Sequence, residues 1–360
     1  MPNDTIWEIE PHTAAKHEIL KGYLGAWFAI MATWSSEFLY VDGFCGPGEY
    51  SGGESGSPII ALELALNHEA LRDSKIRFHF IDNDHRRIDH LQETLANLSW
   101  PKRFDVQVDC GEFEMVFLQG YANRQGQLSL PPTFAFLDPF GFSGLPFQLV
   151  QRILACRYCE VFINLSVDSI NRFLDHPNQS ITDHIVRAFG TDKVLQISAQ
   201  EEDRVEAFRL LYQQQLRRAA RYVRFFEMRD QRNHIPYYLF FATNHPKGFK
   251  KMKESMWRVD PGGMFTFSDR TDAHMSTLFG SDCLAAMTTL LREKFSGQAD
   301  LECGVIREYV ENGTPYLAKH MKAGLASLEA TGLLAVRSTR IDGKPRKGRT
   351  FPDEVVVSFI

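Results

Sequence analysis

The sequence predicts an α/β fold, in which helices cover both faces of a mainly parallel sheet. Short apolar runs typical of buried strands alternate with segments of helical spacing over the first 245 residues. Several of these runs end in an aspartate, a residue that commonly begins a loop. Roughly the last 80 residues follow a different pattern, and a chain of 360 residues is long enough for a large domain and a smaller one.

The larger domain is assigned to residues 1–275, with a helix over 12–34 preceding a core sheet over 37–245. The first strand leads into a glycine-rich turn that runs to Ser57 and Pro58. This pair predicts a helix start, with Ser57 as the N-cap. The other predicted elements are helices over 59–71 and 86–98 and strands over 37–42, 76–81, 104–108, 133–137, 160–165, 222–228 and 237–242.

The smaller domain is assigned to residues 276–360. Helical patterns at about 283–295, 302–311 and 315–331 precede two short strands at 333–336 and 355–359. Three helices followed by a hairpin with a long loop form the winged-helix pattern. Winged helices usually bind nucleic acid, although many are protein-interaction or lid elements. The loop is basic, and its candidate substrate-binding residues are Arg346, Lys347 and Arg349.

The composition indicates the cellular compartment and argues against a membrane span. No apolar run approaches the roughly 20 residues that span a bilayer, and the N-terminus lacks the features of a signal peptide. Six cysteines without a dense framework fit a reducing compartment, so a cytoplasmic protein is expected. Cys156 and Cys159 form a lone C-x-x-C pair without a second pair, so no metal site is predicted.

Each of the first four predicted strands ends near an aspartate: Asp42, Asp82, Asp109 and Asp138. Ligands of open α/β sheets bind at the carboxyl ends of the strands, so the four carboxylates are expected to meet in one crevice. The turn after Asp42 lacks the third glycine of a dinucleotide fingerprint. It contains Glu49, which would repel a pyrophosphate. The turn therefore favours S-adenosylmethionine (SAM), whose amine and sulfonium are cationic.

The segment from Asp42 to Gly48 resembles the first SAM-binding motif of class I methyltransferases, D-x-F-x-G-x-G. Further pieces, in order over most of residues 12–260, resemble the three-Cys-motif partner (TcmP) family. They are His12-Thr13 with Lys16-His17, Asp42 to Gly48 with Tyr50, Gly56-Ser57-Pro58, Phe80-Ile81-Asp82, Leu137 to Gly141, and Phe241 to Pro246. The family is named for a genomically linked protein with a cysteine motif, which is a possible partner.

The resemblance to class I methyltransferases implies how the cofactor would be held. Asp82 would bind the ribose hydroxyls, with Asp84 as a competing candidate, and Asp109 would accept from the adenine amino group. The backbone of the turn would receive the methionine moiety, and Asp42 would orient the turn or the amino group. The turn residues concerned are Gly43, Phe44, Gly46 and Gly48.

The segment Asp138-Pro139-Phe140-Gly141 occupies the place where amino-methyltransferases carry (D/N)-P-P-(Y/F), and it is also like the D-P-F-G of tRNA guanine-N2 dimethyltransferases. The Asp138 side chain and the Pro139 carbonyl would accept the hydrogens of an exocyclic amine, while Phe140 stacks on the base. The second proline of the motif is absent, and a simple strand-to-loop turn is the alternative. Lys16 and Asn164 are the candidate acceptor-site residues.

The sequence as a whole therefore predicts a SAM-dependent N-methyltransferase that acts on a nucleobase in RNA or DNA. Two alternatives remain open. One is a small-molecule or protein methyltransferase whose winged helix is a lid. The other is a non-catalytic nucleic-acid-binding protein on a methyltransferase scaffold. The oligomeric state is not predicted.

Overall fold

The computed structural model describes residues 5–71, 73–198, 203–261, 264–269 and 280–360, with the backbone alone for residues 280–282. The described chain divides into two compact units. The first unit contains the residues up to Val259 and a short strand that follows, and the second contains the C-terminal residues. The predicted boundary between residues 275 and 276 lies outside the described residues.

The first unit alternates strands with helices, as the apolar pattern predicts. Its helices are α1 (Pro11–Ala32), α2 (Ser57–Leu66), α3 (His85–Ala96), α4 (Phe113–Tyr121), α5 (Phe147–Ala155), α6 (Val167–Phe173), α7 (Gln179–Phe189), α8 (Arg204–Ala219) and α9 (Pro246–Val259). Its strands are β1 (Glu37–Asp42), β2 (Lys75–Asp82), β3 (Phe104–Cys110), β4 (Thr133–Leu137), β5 (Cys159–Leu165), β6 (Tyr222–Arg229), β7 (Tyr237–Thr243) and β8 (Thr266–Ser268).

The eight strands form one mostly parallel sheet in the order β3-β2-β1-β4-β5-β7-β6-β8. Strands β1 to β5 are parallel, whereas β7 runs antiparallel to both of its neighbours. Asp42 pairs in register with Phe80 of β2 and with Phe136 of β4. The carboxyl ends of β1, β2 and β4 therefore lie side by side at one edge of the sheet.

The core lies on both faces of the sheet. On one face, α4 to α8 pack on aliphatic residues such as Val41 and Ile163. On the other, α1 packs through aromatic rings: Trp27 meets Phe38 edge-on at 5.3 Å, and Tyr23 lies 5.0 Å from Phe241. Helix α1 has this apolar stripe although its first half carries His12, Lys16 and His17, all buried. These three polar side chains point to the carboxyl edge of the sheet, where the site forms.

A buried polar group fastens α1 to the sheet. The Glu160 carboxylate of β5 accepts hydrogen bonds from the Tyr23 hydroxyl and, at 2.7 Å, from the Thr243 hydroxyl. Burial raises the pKa of Glu160 to about 7, although both hydrogen bonds favour its ionised form. A Cβ atom at Gly248 of α9 would lie 2.0 Å from this carboxylate. Glycine is therefore required where α9 crosses Glu160.

Among its described residues, the second unit has its own core of fourteen buried side chains, including Met287, Ile306 and Leu325. Its elements in chain order are α10 (Gly280–Phe295), β9 (Leu301–Glu302), α11 (Cys303–Gly313), α12 (Ala318–Ala330), β10 (Leu334–Val336) and β11 (Val356–Phe359). The strands form an antiparallel sheet in the order β10-β11-β9. The basic loop connects β10 to β11, as the sequence predicts.

Two expectations about the elements need correction. Ser57 is not the N-cap of α2: Gly56 holds that position without a side-chain bond, and Ser57 is the first helical residue. The sequence pattern also failed to predict helices α4 to α9 and strands β8 and β9, of which β9 has two residues and is too short to show an alternating pattern. None of the helices within the described ranges is long and apolar enough to span a bilayer.

Candidate functional site

Three of the four predicted aspartates come together on one face of the sheet. Asp42 and Asp82 close their strands with side chains on the same face, because register pairs Asp42 with Phe80, two residues before Asp82. Asp138 follows β4 directly. The charges of both Asp138 and Asp82 raise the pKa of Asp42, so the three carboxyls are close enough to interact.

Asp109 does not join this cluster. It pairs with Ile81 rather than with Asp82, so its side chain points to the opposite face of the sheet. There its carboxylate accepts hydrogen bonds from His79 Nε2 at 2.8 Å and from Gln107 Nε2 at 2.5 Å. The expectation of four convergent carboxylates is therefore wrong for Asp109. The carboxylate found at the loop after β3 is Glu112, which accepts from Asn83 at 2.9 Å.

Asp42 is a buried carboxyl at the start of the glycine-rich turn. Burial raises its pKa to about 7, and hydrogen bonds from the Ser57 hydroxyl and the Phe44 N–H oppose this rise. The Tyr40 hydroxyl donates at 3.4 Å. Ser57 thus serves the carboxyl of Asp42 rather than the end of a helix, a role that the Ser-Pro pattern does not reveal.

Asp82 organises the turn from the neighbouring strand. Its two oxygens accept the N–H of Gly46 at 3.0 Å and the N–H of Asp84 at 2.9 Å. Arg87 Nη1 lies 3.8 Å from one of them, and only 3% of each side chain is exposed. Asp84 is instead the N-cap of α3, and Arg86, which binds its carboxylate, holds the pKa of Asp84 at about 2. Asp82 is therefore the carboxylate that faces the turn.

Glycine is needed at two positions of the turn, and the reasons differ in part. Gly46 and Gly48 both have positive φ, of 63° and 87°, which side chains rarely tolerate. A Cβ at Gly48 would also lie 2.6 Å from Leu91, so this glycine lets α3 pack closely. A Cβ at Gly46 would meet only Trp7, at 4.0 Å. The bare backbone at Gly46 is therefore a surface that Trp7 covers.

Trp7 belongs to the segment 5–10, which precedes α1 and lies over the turn. The Trp7 carbonyl accepts the N–H of Ser51 at 2.9 Å, and its ring meets Phe140 edge-on at 5.8 Å. The Arg87 guanidinium lies 5.2 Å from the Trp7 ring and 4.6 Å from the Phe140 ring. Such cation–π contacts contribute about 1 kcal/mol each. Phe140, predicted to stack on a base, thus packs on Arg87, although 37% of it is exposed.

Next to the Trp7 and Phe140 rings lies an open cleft of about 710 Å³, and Asp138 is one of the residues that line it. The Lys16 ammonium donates to one oxygen of the Asp138 carboxylate, and Asn164 Nδ2 donates to the other at 2.6 Å. Lys16 also lies 5.5 Å from the centre of the Tyr237 ring. The three residues predicted independently for the acceptor site, Lys16, Asp138 and Asn164, therefore form one hydrogen-bonded group.

The rest of the cleft combines carboxylates with aromatic rings. Asn164 Oδ1 is buried there and has no hydrogen-bond partner among the described atoms. An acceptor of this kind, beside a carboxylate, suits a ligand with N–H groups. The other lining residues are Trp7, Glu8, Glu10, His12, Thr13, Tyr50, Pro139, Phe140, Gly141, Phe142, Ser143, Ser166, Ser169, Phe173, Pro236 and Tyr237.

The two histidines of α1 differ in role. His12 bonds through Nδ1 to Asp269 at 3.1 Å and lies 3.0 Å from Glu10 through Nε2. Burial, followed by the charge of Lys16, lowers the pKa of His17 to about 3, so that imidazole stays neutral.

Burial and the nearby Asp138 and Asp42 carboxyls raise the pKa of Tyr50. Tyr50 is therefore a neutral phenol between the turn and the cleft.

The predicted substrate residues of the C-terminal unit divide into two kinds. Arg346 is structural: both of its terminal nitrogens donate to Glu329, at 2.5 and 2.8 Å, and its guanidinium lies 4.5 Å from the Phe351 ring. Lys347 and Arg349 line a groove of about 440 Å³ that we call the basic groove. Its lining consists of Lys322, Arg340, Lys347, Arg349, Thr350, Phe351 and Pro352.

The cysteine pair lies between α5 and β5, and Cys159 is the first residue of β5. A hydrogen bond from Cys159 lowers the pKa of Cys156 to about 7. Within the part of the chain that the structure describes, no three His, Cys, Asp or Glu side chains are grouped to hold a metal ion.

No family profile matches the chain, and no curated protein matches it either. Among solved structures, the chain is similar to Trm1 from Pyrococcus horikoshii in complex with S-adenosyl-L-methionine, at 11% identity and a TM-score of 0.37. That match covers 71% of this chain and 60% of the Trm1 chain. A second is the O-methyltransferase TomG from Streptomyces achromogenes in complex with SAM, at 12% identity and a TM-score of 0.34, covering 67% of this chain and 92% of TomG.

Several residues of the site carry no sequence signal that would have revealed them. Trp7 and Arg87 lie outside the motifs, and their contact with Phe140 is visible only in three dimensions. Tyr237 begins a strand that reads as uniformly buried. Tyr50 and Ser57 stand in segments that carry the family resemblance, and this was the one available signal for them.

Proposed function

We propose that this protein is a class I methyltransferase that transfers a methyl group from SAM to an amine bound at Asp138, and that the amine belongs to a nucleobase of RNA or DNA. The observation that carries the proposal is the group formed by Asp138, Lys16 and Asn164 in an open cleft beside the Asp42–Asp82 pair. The TcmP resemblance remains a prediction.

The strand order supports the class of enzyme. Seven of the strands follow the order 3-2-1-4-5-7-6, with the seventh antiparallel, which is the arrangement of class I methyltransferases. Ligands of such sheets bind at the carboxyl ends of the strands, where Asp42, Asp82 and Asp138 lie.

The residues at this edge fit SAM. Gly46 offers a backbone without a side chain, and the neighbouring Asp42 and Asp82 carboxyls suit a ligand with a cationic amine and a sulfonium. Asp82 already accepts two backbone N–H groups, but each carboxylate oxygen has a second lone pair for a ribose hydroxyl. Because Trp7 covers Gly46, the segment 5–10 must shift when a ligand reaches the turn.

Bound SAM would supply an electrophilic methyl group, and the residues of the cleft would supply position. The lone pair of an exocyclic amine is delocalised into its ring. If the Asp138 carboxylate and the Pro139 carbonyl accept its two hydrogens, that lone pair turns out of the ring plane towards the methyl group. Lys16 and Asn164 hold the carboxylate still, which favours this orientation. Phe140 can stack on the base once its contact with Arg87 opens.

The nucleic-acid part of the proposal is supported by the C-terminal unit. We infer that this unit is a winged helix, since the order helix, strand, two helices, strand, long loop, strand matches that fold. Its loop contributes Lys347 and Arg349 to the basic groove.

A second candidate substrate is a small or peptidic aliphatic amine. It is favoured by the lining of the cleft, where Glu8, Glu10 and Asp138 stand among six aromatic rings. Carboxylates and aromatic faces together attract cations.

The test is a pair of measurements on the full chain. Isothermal titration with SAM should give binding at micromolar to millimolar ligand, and transfer of tritium-labelled methyl from SAM should label RNA, DNA or protein in fractionated extracts. Label in nucleic acid supports the first candidate, and label in protein or small amines supports the second. Absence of SAM binding at millimolar ligand would overturn the methyltransferase proposal altogether.

A further inference from the structure

We propose that the basic groove binds the phosphodiester backbone of a nucleic acid without reading its bases. The inference deepens the proposed function, since it names where the polymer carrying the acceptor base is held. It rests on the side chains that line the groove and on the pairing of the acids around it.

Three cations of the groove form no ion pair among the described residues, although the charge of Arg349 helps to lower the pKa of Glu329 after the larger effect of Arg346. Lys322 comes from α12, whereas Lys347 and Arg349 come from the loop between β10 and β11. Among the described residues, none of the three has an acidic side chain within ion-pair distance, and no carboxylate lines the groove. Helix and loop thus present positive charge to the same space. This arrangement attracts a chain of phosphates.

The nearby acids are occupied by other arginines. Glu329 is bound by Arg346, and Asp342 and Glu354 are bound by Arg340, at 3.0 and 2.8 Å. Other pairs of the unit join Arg307 to Asp353 and Arg337 to Asp300. In each of these pairs the acid neutralises its arginine, so the acids of the unit do not neutralise the cations of the groove. The net charge of the whole sequence therefore does not reveal that the basic groove is positive.

The chemistry of the groove suits phosphates rather than bases. Its one aromatic residue, Phe351, is 2% exposed and lies beneath the Arg346 guanidinium, so it offers no face for stacking. The Thr350 hydroxyl already donates to the Lys347 carbonyl, although its oxygen can still accept. Lysine and arginine contacts of this kind fix the position of a nucleic acid but carry no sequence information.

The probe is a fluorescein-labelled single-stranded oligonucleotide of about 20 nucleotides, as RNA and as DNA, titrated with the full chain by fluorescence anisotropy at several salt concentrations. The variant carries Lys322→Glu, Lys347→Glu and Arg349→Glu. We expect its affinity to fall at least about 30-fold and the slope of log K against log salt to decrease by about 2, since three phosphate contacts are lost at about 0.7 per contact. Two oligonucleotides of different sequence should bind alike.

The control carries Lys102→Glu, Lys193→Glu and Arg292→Glu, which change the net charge equally at exposed positions outside the groove. It should retain affinity within about threefold. A milder triple, with alanine at the three groove positions, guards against misfolding of the charge-reversed variant. Equal loss in both triples, or a wild-type chain that fails to bind either oligonucleotide at low salt, would overturn the proposal. SAM binding measured on the same variants reports on the proposed function separately.

Discussion

The cleft at Asp138 and the basic groove are built from opposite chemistry. The cleft is lined by three carboxylates and six aromatic rings, and its one lysine, Lys16, is bound by Asp138. The groove has four cations and neither a carboxylate nor an exposed aromatic ring. A cavity of the first kind suits a planar or cationic group whose hydrogens are accepted, whereas the second suits a polyanion. Chemistry and polymer binding are therefore expected to respond to different substitutions.

The largest expected effect is on chemistry at the cleft. Asp138→Asn keeps the size of the side chain but removes the charge that accepts amine hydrogens, so we expect kcat to fall about 100- to 1,000-fold. SAM affinity, measured by isothermal titration, should change less than about threefold. Asp168→Asn, which alters an exposed pair with Arg172, is the matched control.

Folding must be separated from chemistry in this experiment, because Asp138→Asn leaves the buried Lys16 ammonium without its anionic partner. The double variant Lys16→Met with Asp138→Asn removes that unpaired charge. If the double variant is as stable as the wild type and still inactive, the loss is chemical. Full activity in either variant would remove Asp138 from its assigned role.

A smaller effect separates the groove from the cleft. With a polymer acceptor, the triple alanine variant of Lys322, Lys347 and Arg349 should raise KM about tenfold or more, because phosphate contacts contribute to binding. With the corresponding free nucleoside, KM should not change, since a nucleoside has no phosphodiester backbone. Both are measured by steady-state methyl transfer. A parallel rise in KM for the nucleoside would mean that the groove acts on the cleft rather than on the polymer.

The next effect concerns pH. Because burial raises the pKa of Asp42 to about 7, its ionised form gains population between pH 6 and pH 8, and a cationic ligand binds that form better. The Kd for SAM should therefore decrease as pH rises, by up to about tenfold. Asp42→Asn should flatten this profile. Asp109→Asn is the matched control, because that carboxylate points to the opposite face, and it should leave the profile intact.

The free energy of unfolding should decrease as pH rises, whereas SAM affinity should increase. A carboxyl whose pKa is raised on folding stabilises the folded state below its ordinary pKa, near 3.8, and this contribution is lost as pH rises to about 7. Urea unfolding of the ligand-free protein at pH 5 and pH 8 measures the difference. A Kd for SAM that does not vary with pH would show that Asp42 is not near a cationic group of the ligand.

The smallest effect distinguishes the two kinds of cation in the second unit. The Arg346 side chain is 9% exposed and forms a bidentate ion pair with Glu329. Arg346→Ala breaks this pair, and we expect it to lower the free energy of unfolding by about 1 kcal/mol. Lys347→Ala should change it by less than about 0.5 kcal/mol, since that side chain is exposed. Urea unfolding compares the two, and oligonucleotide binding should respond more strongly to Lys347→Ala. The opposite ranking in both measurements would contradict the division.

Strands β1 to β7 and helices α1 to α3 and α10 to α12 were predictable from the sequence because their signals are local, whereas α4 to α9 were not predicted. Buried parallel strands such as β4 and β5 are continuous apolar runs, and helix α1 carries an apolar stripe. The strand β8 has three residues and lies beyond the predicted sheet, so nothing local marks it. The direction of Asp109 depends on register: one residue of offset turns a side chain to the other face.

Site residues that belong to a sequence motif could be predicted. The contacts between them, and residues that reach the site only through packing, could not. Lys16, Asp138 and Asn164 come from three separate segments, and the sequence suggested each without showing that they bind one another. Arg346 and Lys347 are neighbours in a basic loop, and only the position of Glu329 shows which of them is free. No sequence motif indicates that Trp7 lies over Gly46 or that Arg87 packs on the Trp7 and Phe140 rings.

The crossing of α9 over Glu160 has an evolutionary consequence. Since a methyl group at position 248 would fall on the Glu160 carboxylate, position 248 cannot gain a side chain while Glu160 is present. A side chain becomes admissible at 248 only after position 160 has shortened, and that change would leave the Tyr23 and Thr243 hydroxyls seeking new acceptors. Homologous chains should therefore substitute these four positions jointly, as an epistatic set, while the surrounding helix surface varies freely.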